Sequence, residues 1–187
     1  MSTRTEKDKM LAGELYQAGD PQLVAERRRA KLLCHRYNQS PVDLDRATLA
    51  ELLGYPTDAH LEAPLRLDYG YNLRLGRRVY ANYNLTVLDC APVTIGDDVF
   101  IAPNVVLSTA GHPVEVGPRV AGWEFARPIT IEAGVWIGAG VIVLPGVTIG
   151  AGSTIGAGSV VTRDIPAGVV AVGNPCRVLR PVPADQE

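Results

Sequence analysis

The chain has no excess of either charge, few cysteines and no long apolar run. Its 18 Lys and Arg stand against 20 Asp and Glu, leaving a net charge of −2 and a pI near 5.9. That balance gives no electrostatic case for nucleic acid or an anionic membrane as partner. No stretch reaches the length of a membrane span. Met1–Lys9 is charged and lacks an apolar run, so no signal peptide is expected. Cys34, Cys90 and Cys176 are odd in number, scattered and without metal-ligand spacing, which predicts reduced thiols in a cytoplasmic protein. A length of 187 residues suffices for one main domain and a small extension.

What the chain does have is a period of six. Ile131, Ile137, Val143, Ile149, Ile155 and Val161 form one ladder, and Gly134, Gly140, Gly146, Gly152 and Gly158 form another, three residues behind. Neither a helix nor an alternating strand has this period, and glycine inside a helix costs about 1 kcal/mol relative to Ala. Short extended stretches joined by tight corners do fit, and stacked hexapeptide repeats of this kind make a β-helix. The aliphatic residue of each repeat points inward and stacks on its counterparts. The second inward slot holds Val135, Val141, Val147, Ser153 and Ser159, small or β-branched residues suited to a narrow interior and extended backbone. Ala-Gly or Pro-Gly pairs stand at the corners, where glycine accepts a positive φ.

The ladder starts before its clean section. Ile95, Ile101 and Leu107 are six apart, and Leu107 to Ile131 is four periods, so Ser108–Pro128 is expected to project as a loop. Leu75, Ala81 and Val87 are a further run shifted by two residues. Irregular coils are expected over 60–92 and regular ones to about 172, closed by a cap over Ala171–Pro183. Residues 1–58 read as a helical arm and 59–187 as the β-helix. In the arm, Asp20-Pro21 makes an N-cap and first turn, and Leu23, Ala30, Leu33, Cys34 and Tyr37 share a stripe ended by Asn38 and Pro41. A second helix runs from Asp45 to Leu53 and closes on Gly54. The arm is too small to fold alone and must pack on its own solenoid or a neighbour's. Arg27-Arg28-Arg29 reads as a solvated helix face, with a substrate or partner contact as the lesser reading.

The segments Met10-Leu-Ala-Gly-Glu-Leu-Tyr16, His35-Arg-Tyr-Asn38, Asp68-Tyr-Gly70, Ala81-Asn-Tyr-Asn-Leu85, Gly111-His-Pro113, Pro128-Ile-Thr-Ile131, Val135-Trp-Ile-Gly138 and Gly173-Asn-Pro175 stand in order. Together they resemble the maltose/galactoside O-acetyltransferases of the hexapeptide-repeat superfamily, over residues 5 to 181. The resemblance implies a mainly β fold: a left-handed parallel β-helix with a small N-terminal helical arm and a projecting loop. It also implies a homotrimer with sites between subunits. The left hand runs against the usual crossover preference and comes from the family.

The chemistry implied is transfer of acetyl from acetyl-CoA to a sugar hydroxyl, with no metal. A hydroxyl needs a base near neutral pH, and histidine suits that role. By resemblance, His112 is the general base, whereas His35 and His60 read as structural or exposed. Asn82 matches a sugar-site asparagine that also helps hold the developing oxyanion. Asp68 lies at a sugar-contacting position. Trp136 falls where an aromatic residue borders the acceptor, with a core or trimer-contact role left open. Ala18 and Cys90 stand where the galactoside branch has aspartates; Asp20 and Asp89 are close by, and Asp89 is kept as a substrate-binding candidate. For the donor, Ala139 and Ala157 match corners along the pantetheine arm, Thr162 and Arg163 replace a Thr-Lys pair, and Arg177 and Arg180 match cations at the nucleotide phosphates.

Direct transfer in a ternary complex is expected, with an acetyl-cysteine on Cys90 as the lesser route. Three other readings compete. Zinc-dependent hydration on this scaffold needs three converging histidines, and the coils offer His112 alone. A non-catalytic assembly scaffold would not need the donor-matching residues. Serine or antibiotic acceptors are set against sugars by the arm at 10–55.

Overall fold

The computed structural model describes residues 4–39 and 45–183. Short strands pair in parallel to build a three-sided solenoid. The first face stacks His60–Leu61, Tyr80–Ala81, Phe100–Ile101, Trp136–Ile137, Thr154–Ile155 and Val169–Val172. On the second face lie Arg66–Leu67, Thr86–Leu88, Val106–Ser108, Ile142–Val143 and Val160–Val161. Leu73–Leu75, Val93–Ile95, Ile129–Ile131 and Thr148–Ile149 make the third. Inside, the ladder residues form a column: Ile131, Ile137, Val143, Ile149, Ile155 and Val161 are fully buried, as are Ser153 and Ser159 of the second inward slot. Both serine hydroxyls are satisfied by backbone, Ser153 donating to Pro166 O (2.7 Å) and Ser159 to Gly156 O (2.6 Å), as buried polar groups require.

Coil length changes along the axis. Tyr80 pairs with Phe100 and Trp136 with Thr154, so a coil spans 20 residues early and 18 later. Phe100 pairs with Trp136, an interval of two later coils. The projecting loop therefore adds one coil's worth of residues, which is why the hexad phase survives it. The early coils also hide their corners. Asn84 and Asn104 (φ 64° and 62°) stack below Gly140 and Gly158, and Arg78 and Asp98 (φ 56° and 58°) below Gly134. Asn and Asp tolerate this left-handed region better than most side chains, so the glycine ladder fades in sequence while the turn persists.

A second class of glycine, absent from the periodicity reading, sits where coils come closest. A Cβ on Gly138 would lie 2.6 Å from Ala157 N and 2.8 Å from Ile155 O, inside any permitted contact.

The arm forms three helices. α1 (Glu6–Leu11) was not expected from the sequence; a reciprocal capping box between Thr5 and Asp8 starts it, and Met10 is its one buried residue. α2 (Pro21–Asn38) is capped by Asp20 and buries the expected stripe of Leu23, Ala30, Leu33, Cys34 and Tyr37. Pro41, expected to help end it, lies outside the described residues. α3 (Arg46–Leu53) ends on Gly54 at φ 80°. α2 and α3 close the first coil of their own chain: Tyr37 donates to Leu61 O, and the Asn38 amide bonds both Leu65 O and Leu65 N. At the other end Arg177–Pro181 folds back antiparallel on Val169–Val172 as the cap. The loop carries α4 (Val116–Val120) at its tip. Among the described residues no helix is long and apolar enough to cross a membrane.

Candidate active site

The two extra residues of the early coils lie at one corner, between the second and third faces. Asp68–Asn72 and Leu88–Pro92 bulge there in successive coils, and the Ser108–Pro128 loop leaves from the same corner one coil further on. Stacking knits the three together. Asp89, fully buried, accepts N–H bonds from Asp68 (3.0 Å), Tyr69 (2.8 Å) and Gly70 (2.7 Å), while Thr109 Oγ1 accepts from Ala91 N and donates to Leu88 O. The loop base is a β-ribbon of Ala110–Gly111 against Trp123–Ala126, and Tyr16–Gln17 of the arm adds its third strand.

Between this corner, the ribbon and α2 opens a cleft of about 390 Å³ lined by Ala18, Arg27, Lys31, Asp68, Leu88, Cys90, Ala110, Gly111, His112 and Glu124. His112 Nδ1 lies 3.3 Å from Trp123 O. A carbonyl can only accept, so this nitrogen carries the proton and Nε2 keeps its lone pair. Nε2 is 3.9 Å from Glu124 Oε1, and Tyr16 donates to the other Glu124 oxygen at 2.8 Å. Opposite, Arg27 donates to Tyr69 Oη (2.7 Å) and to Ala18 O (2.6 Å).

Burial sets the protonation of the remaining groups. It raises Asp68 above the usual carboxylate range, against the pull of Arg27 and Lys31. Burial likewise brings Asp89 up to about 6, opposed by its backbone N–H bonds. The Cys90 thiol, whose Sγ is 3.9 Å from Asp68 Oδ2, is pushed up to about 12, which keeps it a thiol and a poor nucleophile at neutral pH.

Seven of the expected residues fall into two groups, along two different edges of the prism. Asp68 and His112 share the cleft at the second–third edge, and Thr162 and Arg163 lie exposed at that same edge further along. Asn82, Ala139 and Ala157 stand instead at the first–second edge, where Gly158 N bonds Ala139 O. Arg177 begins the capping strand beside Cys176, whose N–H bonds Val160 O, and Arg180 follows on that strand; both are exposed. Trp136 is on the first face, 56 % exposed, in file with Tyr80 and Phe100 and away from the cleft of its own chain. Asp89 is a correction. Expected at the substrate, it lies behind the cleft wall with no exposed surface, because its carboxylate is needed by three backbone N–H groups.

Sequence reasoning missed Lys31, Glu124 and Tyr16, and held a substrate contact for Arg27 only as its lesser reading. Arg27 read as part of a solvated face, yet it sits four residues after Leu23 and three before Ala30, at the border of the buried stripe; Lys31 follows one turn later. That spacing was a usable signal for both. Glu124 had none, because only the arm–loop strand pairing brings it to Tyr16.

Residues 9–55 match the family described as maltose acetyltransferase hexapeptide capping motif, and residues 128–163 match bacterial transferase hexapeptide (six repeats). Galactoside O-acetyltransferase of Escherichia coli K12 is 45 % identical over 179 residues, which cover 94 % of this chain and 88 % of that one. The crystal structure of a maltose O-acetyltransferase from Clostridium difficile 630 superposes with a TM-score of 0.93 at 44 % identity, covering 98 % of this chain and all 100 % of that one. A galactoside acetyltransferase in complex with coenzyme A gives 0.88 at 42 %, covering 97 % and 92 %.

Proposed function

The chain belongs to the maltose/galactoside O-acetyltransferase family of hexapeptide-repeat enzymes, and from that premise we propose that it moves acetyl from acetyl-CoA directly to a sugar hydroxyl, with His112 as general base. It is an acetyl-CoA-dependent acyltransferase built on the left-handed β-helix of that family. The observation carrying the mechanism is the His112 ring: Nδ1 is committed to Trp123 O, so Nε2 is the basic nitrogen and borders the cleft. Nε2 takes the hydroxyl proton as the sugar oxygen attacks the thioester carbon. The tetrahedral intermediate then expels the coenzyme thiolate, which receives the same proton back from the imidazolium. Cys90 takes no part, since burial holds it protonated.

A homotrimer belongs to this proposal. The acceptor cleft and the Thr162–Arg163 pair line one edge of the prism, whereas Asn82, Ala139 and Ala157 line another. Laying the first edge of one chain against the second edge of its neighbour completes a site that neither holds alone. Asn82 Oδ1 already accepts from Tyr83 N (2.7 Å), which leaves its amide N–H groups to donate to an oxyanion. The pantetheine arm then runs between chains past Ala139 and Ala157 toward Arg163, Arg177 and Arg180. Exposed apolar side chains on the first face and loop tip, Phe100, Trp136, Val114 and Val120 among them, supply surface for such contact. The three cysteines are free thiols, in keeping with a reducing cytoplasm.

His112→Ala tests the base directly. Turnover should fall by about 10²–10⁴-fold while acetyl-CoA still binds, measured by thiol release and by calorimetry. Retained turnover would remove the general-base role.

A further inference from the structure

Beside the His112 cleft, between α2 and the second face, lies another trough of about 400 Å³. The two share Lys31, Asp68 and Leu88 in their linings, so they adjoin, with Asp68 at the junction. Each is at the lower end of the roughly 300–1,000 Å³ usual for ligand pockets, and together they exceed what one hexose ring requires. We infer that this trough is a second acceptor subsite, which takes the adjoining pyranose ring of an oligosaccharide whose reacting ring lies at His112. The inference rests on the sugar-acceptor reading above.

The chemistry of the walls argues for a sugar ring. Cys34, Leu65 and Leu88 give the trough an apolar bed, matching the C–H face of a pyranose. His35, Arg66 and Thr86 stand around it with polar side-chain atoms. These can meet ring hydroxyls. The half-buried Asp68 carboxylate, which lines both cavities, can accept from hydroxyls of both rings.

Thr86→Trp places an indole in the trough from an outward position of the second face, outside the His112 cleft. The experiment compares kcat/KM for a disaccharide and its monosaccharide on the same enzyme, so a folding loss cancels in the ratio. The wild-type ratio should favour the disaccharide by about tenfold or more, and Thr86→Trp should bring it near one. A wild-type ratio near one, or an unchanged preference in the variant, overturns the subsite while leaving sugar acetylation intact. Acetylation of neither sugar would overturn the sugar reading and the subsite with it.

Discussion

Beneath the cleft, the Asp89 carboxylate accepts three successive backbone N–H groups while fully buried, and these two facts pull its protonation in opposite directions. Burial wins, holding the native value near 6 against about 3.9 for an unfolded aspartate. The native state therefore binds this proton before the unfolded chain does as pH falls. Its stabilising contribution is fully present below about 3.9 and is lost as pH rises through about 6. Asp89→Asn should flatten that part of the stability–pH profile, as measured by denaturant titration between pH 4 and 7; an unchanged slope would place the proton elsewhere. Tyr16 offers a second test, since its hydroxyl holds Glu124 beside the imidazole. Tyr16→Phe removes a hydrogen bond to a charged group, worth roughly 1.5 kcal/mol, and should lower kcat about tenfold. Steady-state kinetics with saturating donor would show this, and full kcat in the variant would detach Tyr16 from the catalytic loop.

Among the elements, the β-coils depend on glycine for two distinct reasons, and only one of them was visible as a period. Corner glycines such as Gly140 answer a positive φ and recur every six residues. Gly138 answers close approach of the next coil, with no room for a methyl group. Gly138→Ala should destabilise by about 1–3 kcal/mol through overpacking, read from thermal unfolding; an unchanged melting temperature would mean the coils separate freely. The same contrast explains what could be read before the structure. Helix α2 was legible because its cap and buried stripe are both local signals. The first coils were half hidden because Asn84, Asp98 and Asn104 replace glycine at their corners. Helix α1 escaped because six residues with one buried side chain carry almost no periodicity. For Arg27 the cleft-facing reading ranked second because a charge bordering an apolar stripe can face solvent or a cleft, and only packing decides.

At the scale of the whole molecule, hexad phase told which residues point inward but not which edge each corner occupies. Edge assignment needs the coil length, and that changes from 20 to 18 residues along the axis. This is why Asn82 and His112 read as partners in one site yet stand on separate edges of a single chain. The proposed trimer reconciles them and is testable through the exposed aromatic file. Phe100→Asp puts a charge on the first face, where Phe100 is 55 % exposed in the single chain and needs no core contact. Sedimentation should shift from three times the 20.0 kDa chain mass to one, with turnover lost in parallel. A fully active monomer would refute the shared site.

Because each coil advances by one strand spacing of about 4.8 Å, the separation between the imidazole's loop and the capping arginines grows only in whole steps. On the proposed donor path the solenoid would thus act as an integer gauge for its cosubstrate: removing one 18-residue turn between Ile131 and Val161 would keep every face in phase yet leave that path a full notch shorter.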